Sequence, residues 1–108
     1  MPLRIVYVST LEPHLTEADI AGLVEKAAAF NKAHGVTGLL AIEGRRVCQI
    51  LEGPDDAVEA LFRSIRKDAR HSGVTEIVQA PIEATTFQDW GMVRRPMIDM
   101  VMAAFALQ

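Results

Sequence analysis

Cysteine is almost absent from this chain of 108 residues; Cys48 stands alone. One thiol excludes an internal disulfide and fits a reducing compartment. No Cys/His cluster has metal-ligand spacing, because His14, His34 and His71 are isolated in sequence. Positive charge is not in excess. With 11 Lys and Arg against 14 Asp and Glu, the net charge of −3 excludes a broad nucleic-acid or anionic-membrane surface. No apolar run approaches the ~20 residues of a membrane span. No basic-then-apolar signal segment precedes the first strand pattern. The expectation is a cytoplasmic protein with neither membrane nor nucleic acid as partner. What is present is one domain's length, with enough apolar residues for a core that needs no staples.

RIVYVS, Arg4 to Ser9, is rich in β-branched and aromatic residues and reads as a first strand. Thr16 with Asp19 three residues on is an acidic variant of the capping box. It predicts a helix from Glu17 to about Ala33, stopped by Gly35. The inward stripe of that helix is Ile20, Val24, Ala27 and Asn31. VTGLLAI and RVCQIL read as two strands joined by Glu43-Gly44-Arg45. Pro54 suits the first turn of a second helix, with Asp55 and Asp56 at the positive end of its dipole. Val58, Leu61, Phe62 and Ile65 face inward, and Asp68 lies near that face. TEIVQAPI is a fourth strand, placed at an edge by Pro81. A short fifth strand is expected over Trp90 to Val93, and Pro96 opens a last helix, MIDMVMAAFAL.

The order βαββαββα contains two β-α-β units and predicts a ferredoxin-like α/β sandwich. The expected sheet is mixed and five-stranded, with two helices on one face and a short C-terminal helix. Residues 1–95 form the domain, and 96–108 cap it or make an oligomer contact. In this topology strands one and three are central neighbours. Alternation then puts Leu3, Ile5 and Tyr7 on one face with Val47, Gln49 and Leu51. Val6, Val8, Cys48 and Ile50 take the other face, with Cys48 as small core packing. That second face needs a cover, either the C-terminal helix with Val101, Phe105 and Leu107 or a second subunit.

VCQILEG places a primary amide inside a buried strand. An unpaired buried polar group costs roughly 1–3 kcal/mol. One buried amide is usually a local anchor. Tyr7, Gln49 and Asn31 directed into one space between helices favour a flat polar ligand, read by groups that both donate and accept. Asp68, Arg70 and His71 follow at the end of helix two, where a solvated helix end with dipole-matching cations is the plain reading.

Five stretches occur in order: IVYVS, FN with GVTGLL, QILEGP, DARH and FQDWGM. Together they resemble the BLUF domain, a blue-light sensor family that binds flavin. The resemblance covers about the first 92 residues and implies a noncovalent flavin, usually FAD, with FMN or riboflavin also open. It implies that Tyr7 is the electron and proton donor, and that Gln49 is the switching amide between Tyr7 and the flavin N5/O4 edge. Asn31 holds the O4 and N3–H edge. Asp68, Arg70 and His71 contact the ring's polar edge or the ribityl tail, while Ala27 and Ile65 touch the ring. Trp90 and Met92 carry the signal outward. Val47 and Cys48 stand where the family often has an aromatic, and Ser64 where some members carry a base.

In this family excited flavin oxidises the phenol, the glutamine is left rotated or in another tautomer, and absorption shifts reversibly to the red. The implied partners are flavin and either a second copy or a separate effector protein. Three other readings exist. An acylphosphatase-like hydrolase needs a phosphate-cradling loop, and LEPHLT has neither Gly nor Arg. Flavin-dependent redox catalysis lacks a substrate-side acid/base pair. A light-blind interaction domain on the same fold remains the alternative.

Overall fold

The computed structural model describes residues 1–87, 93, 94, 96 and 97. The elements are β1 (Pro2–Leu11), α1 (Glu17–Ala33), β2 (Thr37–Glu43), β3 (Arg46–Pro54), α2 (Asp55–Lys67), β4 (His71–Pro81) and β5 (Val93–Arg94). Four strands form an antiparallel sheet in the order β4-β1-β3-β2. The two residues of β5 pair parallel to β2, Val93 with Leu39 and Arg94 with Leu40.

Local chemistry sets the helix limits. The Asp19 N–H donates to Thr16 Oγ1 (3.1 Å) and the Thr16 N–H to Asp19 Oδ2 (2.9 Å), closing the capping box of α1. Its end is fixed by Asn31, whose backbone carbonyl accepts from the N–H groups of His34 (3.0 Å) and Val36 (2.8 Å). Gly35, at φ 71°, makes the left-handed turn into β2. In α2, Pro54 is the residue before the helix rather than its first. Asp55 and Asp56 in the first turn and Arg66 and Lys67 in the last complement the dipole.

Gly38 shows why β2 and β3 can lie so close. A Cβ there would stand 1.9 Å from the carbonyl oxygen of Ile50. The β2–β3 hairpin is tighter than expected. Glu43 pairs with Arg46, so only Gly44 and Arg45 form the turn, with Gly44 at φ 62°. At the other edge, β4 pairs with β1 through two register irregularities, between Val6 and Tyr7 and between Val8 and Thr10. Such bulges bend an exposed outer strand away from regular pairing.

Parity divides the core in two. Leu3, Ile5, Tyr7, Val47 and Leu51 join Ile20, Val58 and Phe62 between sheet and helices. Ile50, Leu39, Ala41 and Phe87 form a second cluster, with Val6, Cys48 and Met97 packed against it.

Cys48 packs half-buried against this second cluster, on the face expected for it. Two expectations change. The segment Asp68 to His71 is not helical. Asp68 ends α2 with an extended ψ of 125°, and His71 already starts β4. The reason is local: Asp68 Oδ1 accepts the Arg70 N–H at 2.9 Å, folding the chain into a turn. The fourth strand is accordingly longer than TEIVQAPI. Of the expected strand over Trp90 to Val93, Val93 lies in β5, and Trp90 and Met92 lie outside the described residues, as does the C-terminal helix beyond Met97. Among the described residues no helix is long and apolar enough to cross a membrane.

Candidate functional site

A cavity of about 420 Å³ opens between α1 and α2 above the middle of the sheet. Its floor is one rung of the sheet. In register, Tyr7 of β1 lies opposite Gln49 of β3, and Gln49 lies opposite Leu40 of β2. All three point to the helices because residues directly opposite share a face. Strand alternation and sheet order therefore place the phenol beside the amide, with no loop involved.

The Tyr7 hydroxyl donates to Gln49 Oε1. Burial pushes the Tyr7 phenol far up, and Cys48 and Asp68 push it in the same direction. Tyr7 is thus held neutral, and a neutral phenol can donate. In this arrangement the carbonyl end of the Gln49 amide faces it. Asn31, 1% exposed, reaches the same cavity from the last turn of α1. The walls are apolar: Ile20, Val24 and Ala27 from α1, and Leu61 and Ile65 from α2. Phe62 supports the Tyr7 ring from behind, with centroids 5.5 Å apart and planes tilted by 44°.

The mouth carries the charge. Arg70 grips Asp68 in a fork, Nε to Oδ1 at 2.8 Å and a second contact to Oδ2. The guanidinium's hydrogen bonds hold the Asp68 carboxyl down at about 2. His71 is held by the protein on both sides of its ring. Its Nε2 lies 2.6 Å from the carbonyl oxygen of Ile65, and its Nδ1 lies 2.9 Å from Ser9 Oγ. A carbonyl only accepts, so Nε2 carries the proton. Both ring nitrogens are engaged by the protein. His71 braces α2 against β1 and offers the cavity its ring, edge-on to Tyr7 at 6.3 Å.

The structure brings Tyr7, Ala27, Asn31, Gln49, Ile65, Asp68, Arg70 and His71 to this one cavity. Trp90 and Met92 lie outside the described residues. Sequence reasoning missed Ser9, which holds His71. The available signal was its place two residues after Tyr7, on the same strand face. It also missed Phe30 and Lys26 at the rim. Phe30 is 51% exposed and stacks on His34 at 4.1 Å. Among the described residues no group of His, Cys, Asp and Glu could hold a metal ion. The donor set suits a flat heteroaromatic ring: apolar walls for its faces, and two amides and a phenol for a polar edge.

A model of the family described as "Sensors of blue-light using FAD" matches residues 3–93. The photoactivated adenylate cyclase subunit alpha of Euglena gracilis is 32% identical over 85 residues, which are 79% of this chain and 8% of that protein. The blue light- and temperature-regulated antirepressor BluF of Escherichia coli is 31% identical over 85% of this chain and 23% of its own length. The chain therefore spans under a quarter of these relatives. Among solved structures, the dark state of BlrB, a BLUF protein, superposes with a TM-score of 0.84 at 30% identity, covering 98% of this chain and 80% of that one. Klebsiella pneumoniae BlrP1, with FMN and cyclic diGMP, gives 0.83 at 32% identity over 91% of this chain and 26% of the other.

Proposed function

The chain belongs to the BLUF family of blue-light sensors that use flavin, and on that premise we propose how its own residues hold the cofactor and respond to light. The observation that carries the reading is the Tyr7–Gln49 rung on the floor of a cavity large enough for a three-ring heteroaromatic. Asn31 and Gln49 would hold the polar edge, Ala27 and Ile65 would contact the ring, and Asp68 and Arg70 would meet the polar edge or the tail. His71 lines the site but acts through Ser9 and Ile65. FAD is the expected cofactor, and FMN or riboflavin fits the same polar edge.

Bound oxidised flavin supplies a strong one-electron oxidant when it absorbs blue light. Tyr7 then gives up an electron, and its phenolic proton passes along the existing hydrogen bond to Gln49 Oε1. A protonated amide oxygen no longer accepts. Gln49 would then release one N–H proton toward the reduced cofactor, leaving the imidic acid tautomer, which can stay in place or rotate. When charge returns to Tyr7, the sense of donation across the rung is reversed. The hydrogen bond presented to the cofactor changes with it, and the absorption moves to the red until the dark arrangement returns thermally. Burial favours this cycle, because a neutral phenol in a dry site has no competing water donor.

The fold in finer detail is proposed as a ferredoxin-like sandwich with a mixed five-stranded sheet. Residues 1–95 form the sensor domain, and 96–108 form a short helix that caps it or meets a second copy. Cyclase activity is the Euglena proteins' own, and the chain matches 8% of the alpha subunit. For this chain we read sensing without turnover, with output through Trp90, Met92 and the C-terminal helix to a second copy or a separate effector in the cytoplasm. The light-blind alternative is disfavoured by the intact Tyr7–Gln49 contact.

The test is the visible absorption spectrum of the purified protein in the dark and just after blue light. A flavin spectrum that shifts reversibly to the red is expected. A protein that stays colourless after incubation with FAD, FMN and riboflavin would overturn the reading.

A further inference from the structure

The face of the sheet turned away from the cavity contains a carboxylate with no exposure at all. Glu52, three residues beyond Gln49 on β3, is 0% exposed. It lies directly opposite Arg4 on β1. The Arg4 Nε–H donates to Glu52 Oε2 at 2.6 Å, and the Thr86 backbone N–H donates to Glu52 Oε1 at 2.6 Å. The Thr86 hydroxyl stands 3.4 Å from Oε2 and 3.5 Å from an Arg4 terminal nitrogen, so each member touches the other two. A buried carboxylate is tolerated only when its charge is paired and its lone pairs are filled, and here both conditions are met.

The topology gives this cluster a task. β4 and β5 lie at opposite edges of the sheet. The chain leaves β4 at Ile82, whose N–H donates to the Pro2 carbonyl at 2.9 Å, and must reach Val93 beside Leu39. It has to pass β1, β3 and β2 on the way. Glu52 grips it in the middle of that crossing, at Thr86. The next residue, Phe87, is buried among Ile50, Leu39 and Ala41. Ile50 adjoins Gln49 in β3, so a displacement of β3 at Gln49 acts directly on the chain that leads to the last strand.

We propose that Arg4, Glu52 and Thr86 anchor the β4–β5 crossover, and that Glu52 is a positioning residue coupling β3 to the last strand. The coupling rests on the photoreceptor reading above; the anchoring does not. Two measurements on the flavin-loaded full chain separate them. The first is amide hydrogen exchange at Thr86 in the dark. Thr86 is as exposed as its neighbours Ala84 and Thr85, yet its amide, bonded to Glu52, is expected to exchange far more slowly than theirs. Glu52→Ala is expected to speed it by roughly tenfold or more, as loss of a charge-assisted hydrogen bond requires. An unprotected Thr86 amide in the unaltered protein overturns the anchor.

The second is the lifetime of the red-shifted state in Glu52→Gln, which keeps an acceptor for Thr86 but removes the charge. A severalfold change in lifetime with an unchanged shift is expected. The control is Val58→Ala, which loosens the helix-side core without touching the cluster or the cavity lining. If the lifetime in Glu52→Gln changes no more than in the control, the positioning role falls. Should Glu52→Gln not fold, Thr86→Pro deletes the donated N–H together with the hydroxyl contacts to Glu52 and Arg4, and an unaltered lifetime there has the same meaning. Absence of any red shift in the unaltered protein defeats the photoreceptor reading, while Thr86 exchange still decides the anchor.

Discussion

The two faces of the β1–β3 pair use the same backbone for opposite ends. On the helix side, Tyr7 and Gln49 form a neutral hydrogen bond at the floor of an open cavity. On the far side, Arg4 and Glu52 form a charged, closed cluster with Thr86. Both are cross-strand pairs in direct register. A phenol and an amide can exchange donor and acceptor roles with little penalty. A guanidinium and a carboxylate cannot, since one only donates and the other only accepts. One face is therefore built to be rearranged and the other to stay fixed.

Removing either pair tests that contrast most strongly. Gln49→Leu is expected to abolish the light-induced red shift entirely, while changing unfolding free energy by only about 1 kcal/mol, the net worth of one neutral hydrogen bond. Glu52→Ala is expected to do the reverse. Breaking a buried ion pair costs about 3–5 kcal/mol because the remaining charge is left uncompensated. Urea denaturation reads that loss, and a red shift of normal size in the surviving folded fraction is the expected companion. If Gln49→Leu proved the more destabilising of the two, the division between mobile and fixed faces would be wrong.

Smaller effects sharpen the helix-side half. Ser9→Ala removes one partner of His71 and is expected to cost about 1 kcal/mol. The 15N shifts of the His71 ring should still show the proton on Nε2, because the Ile65 carbonyl keeps it there. The smallest effect comes from the mouth. Asp68 is held at about 2, against an ordinary 3.8, chiefly by its hydrogen bonds from Arg70. A carboxyl lowered on folding stabilises above its unfolded value, and that contribution disappears as pH falls through the folded one. The Asp68 side chain is 29% exposed, so solvent screens the effect. Melting temperature should therefore decline slightly faster between pH 3.8 and about 2 in the unaltered protein than in Asp68→Asn.

Much of the helix-side site was legible because periodicity alone specifies it. Thr16 and Asp19 marked the start of α1, Gly35 its end, and the stripe between them carried Asn31 inward. The positions of Tyr7 and Gln49 followed once β1 and β3 were taken as neighbours. Other features left no local trace. Glu52 looks like an ordinary polar strand residue, since its partners Arg4 and Thr86 are 48 and 34 positions away. Asp68 to His71 look like the cationic end of a helix, and only the turn made by the Asp68 carboxylate takes them out of it. The bracing role of His71 depends on Ser9, a contact spanning 62 positions.

The Tyr7–Gln49 rung also determines how this chain can change in length. The segment between β1 and the Thr16 cap can gain residues without altering which side any strand residue faces. Loss of one residue within β1 ahead of Tyr7 is different, because every later position in the strand then inverts. The phenol would turn toward Glu52, and an aliphatic side chain would take its place beneath the cofactor. Length variants of this protein should therefore be confined to its turns, and a single-codon deletion inside β1 or β3 should remove colour change and stability together.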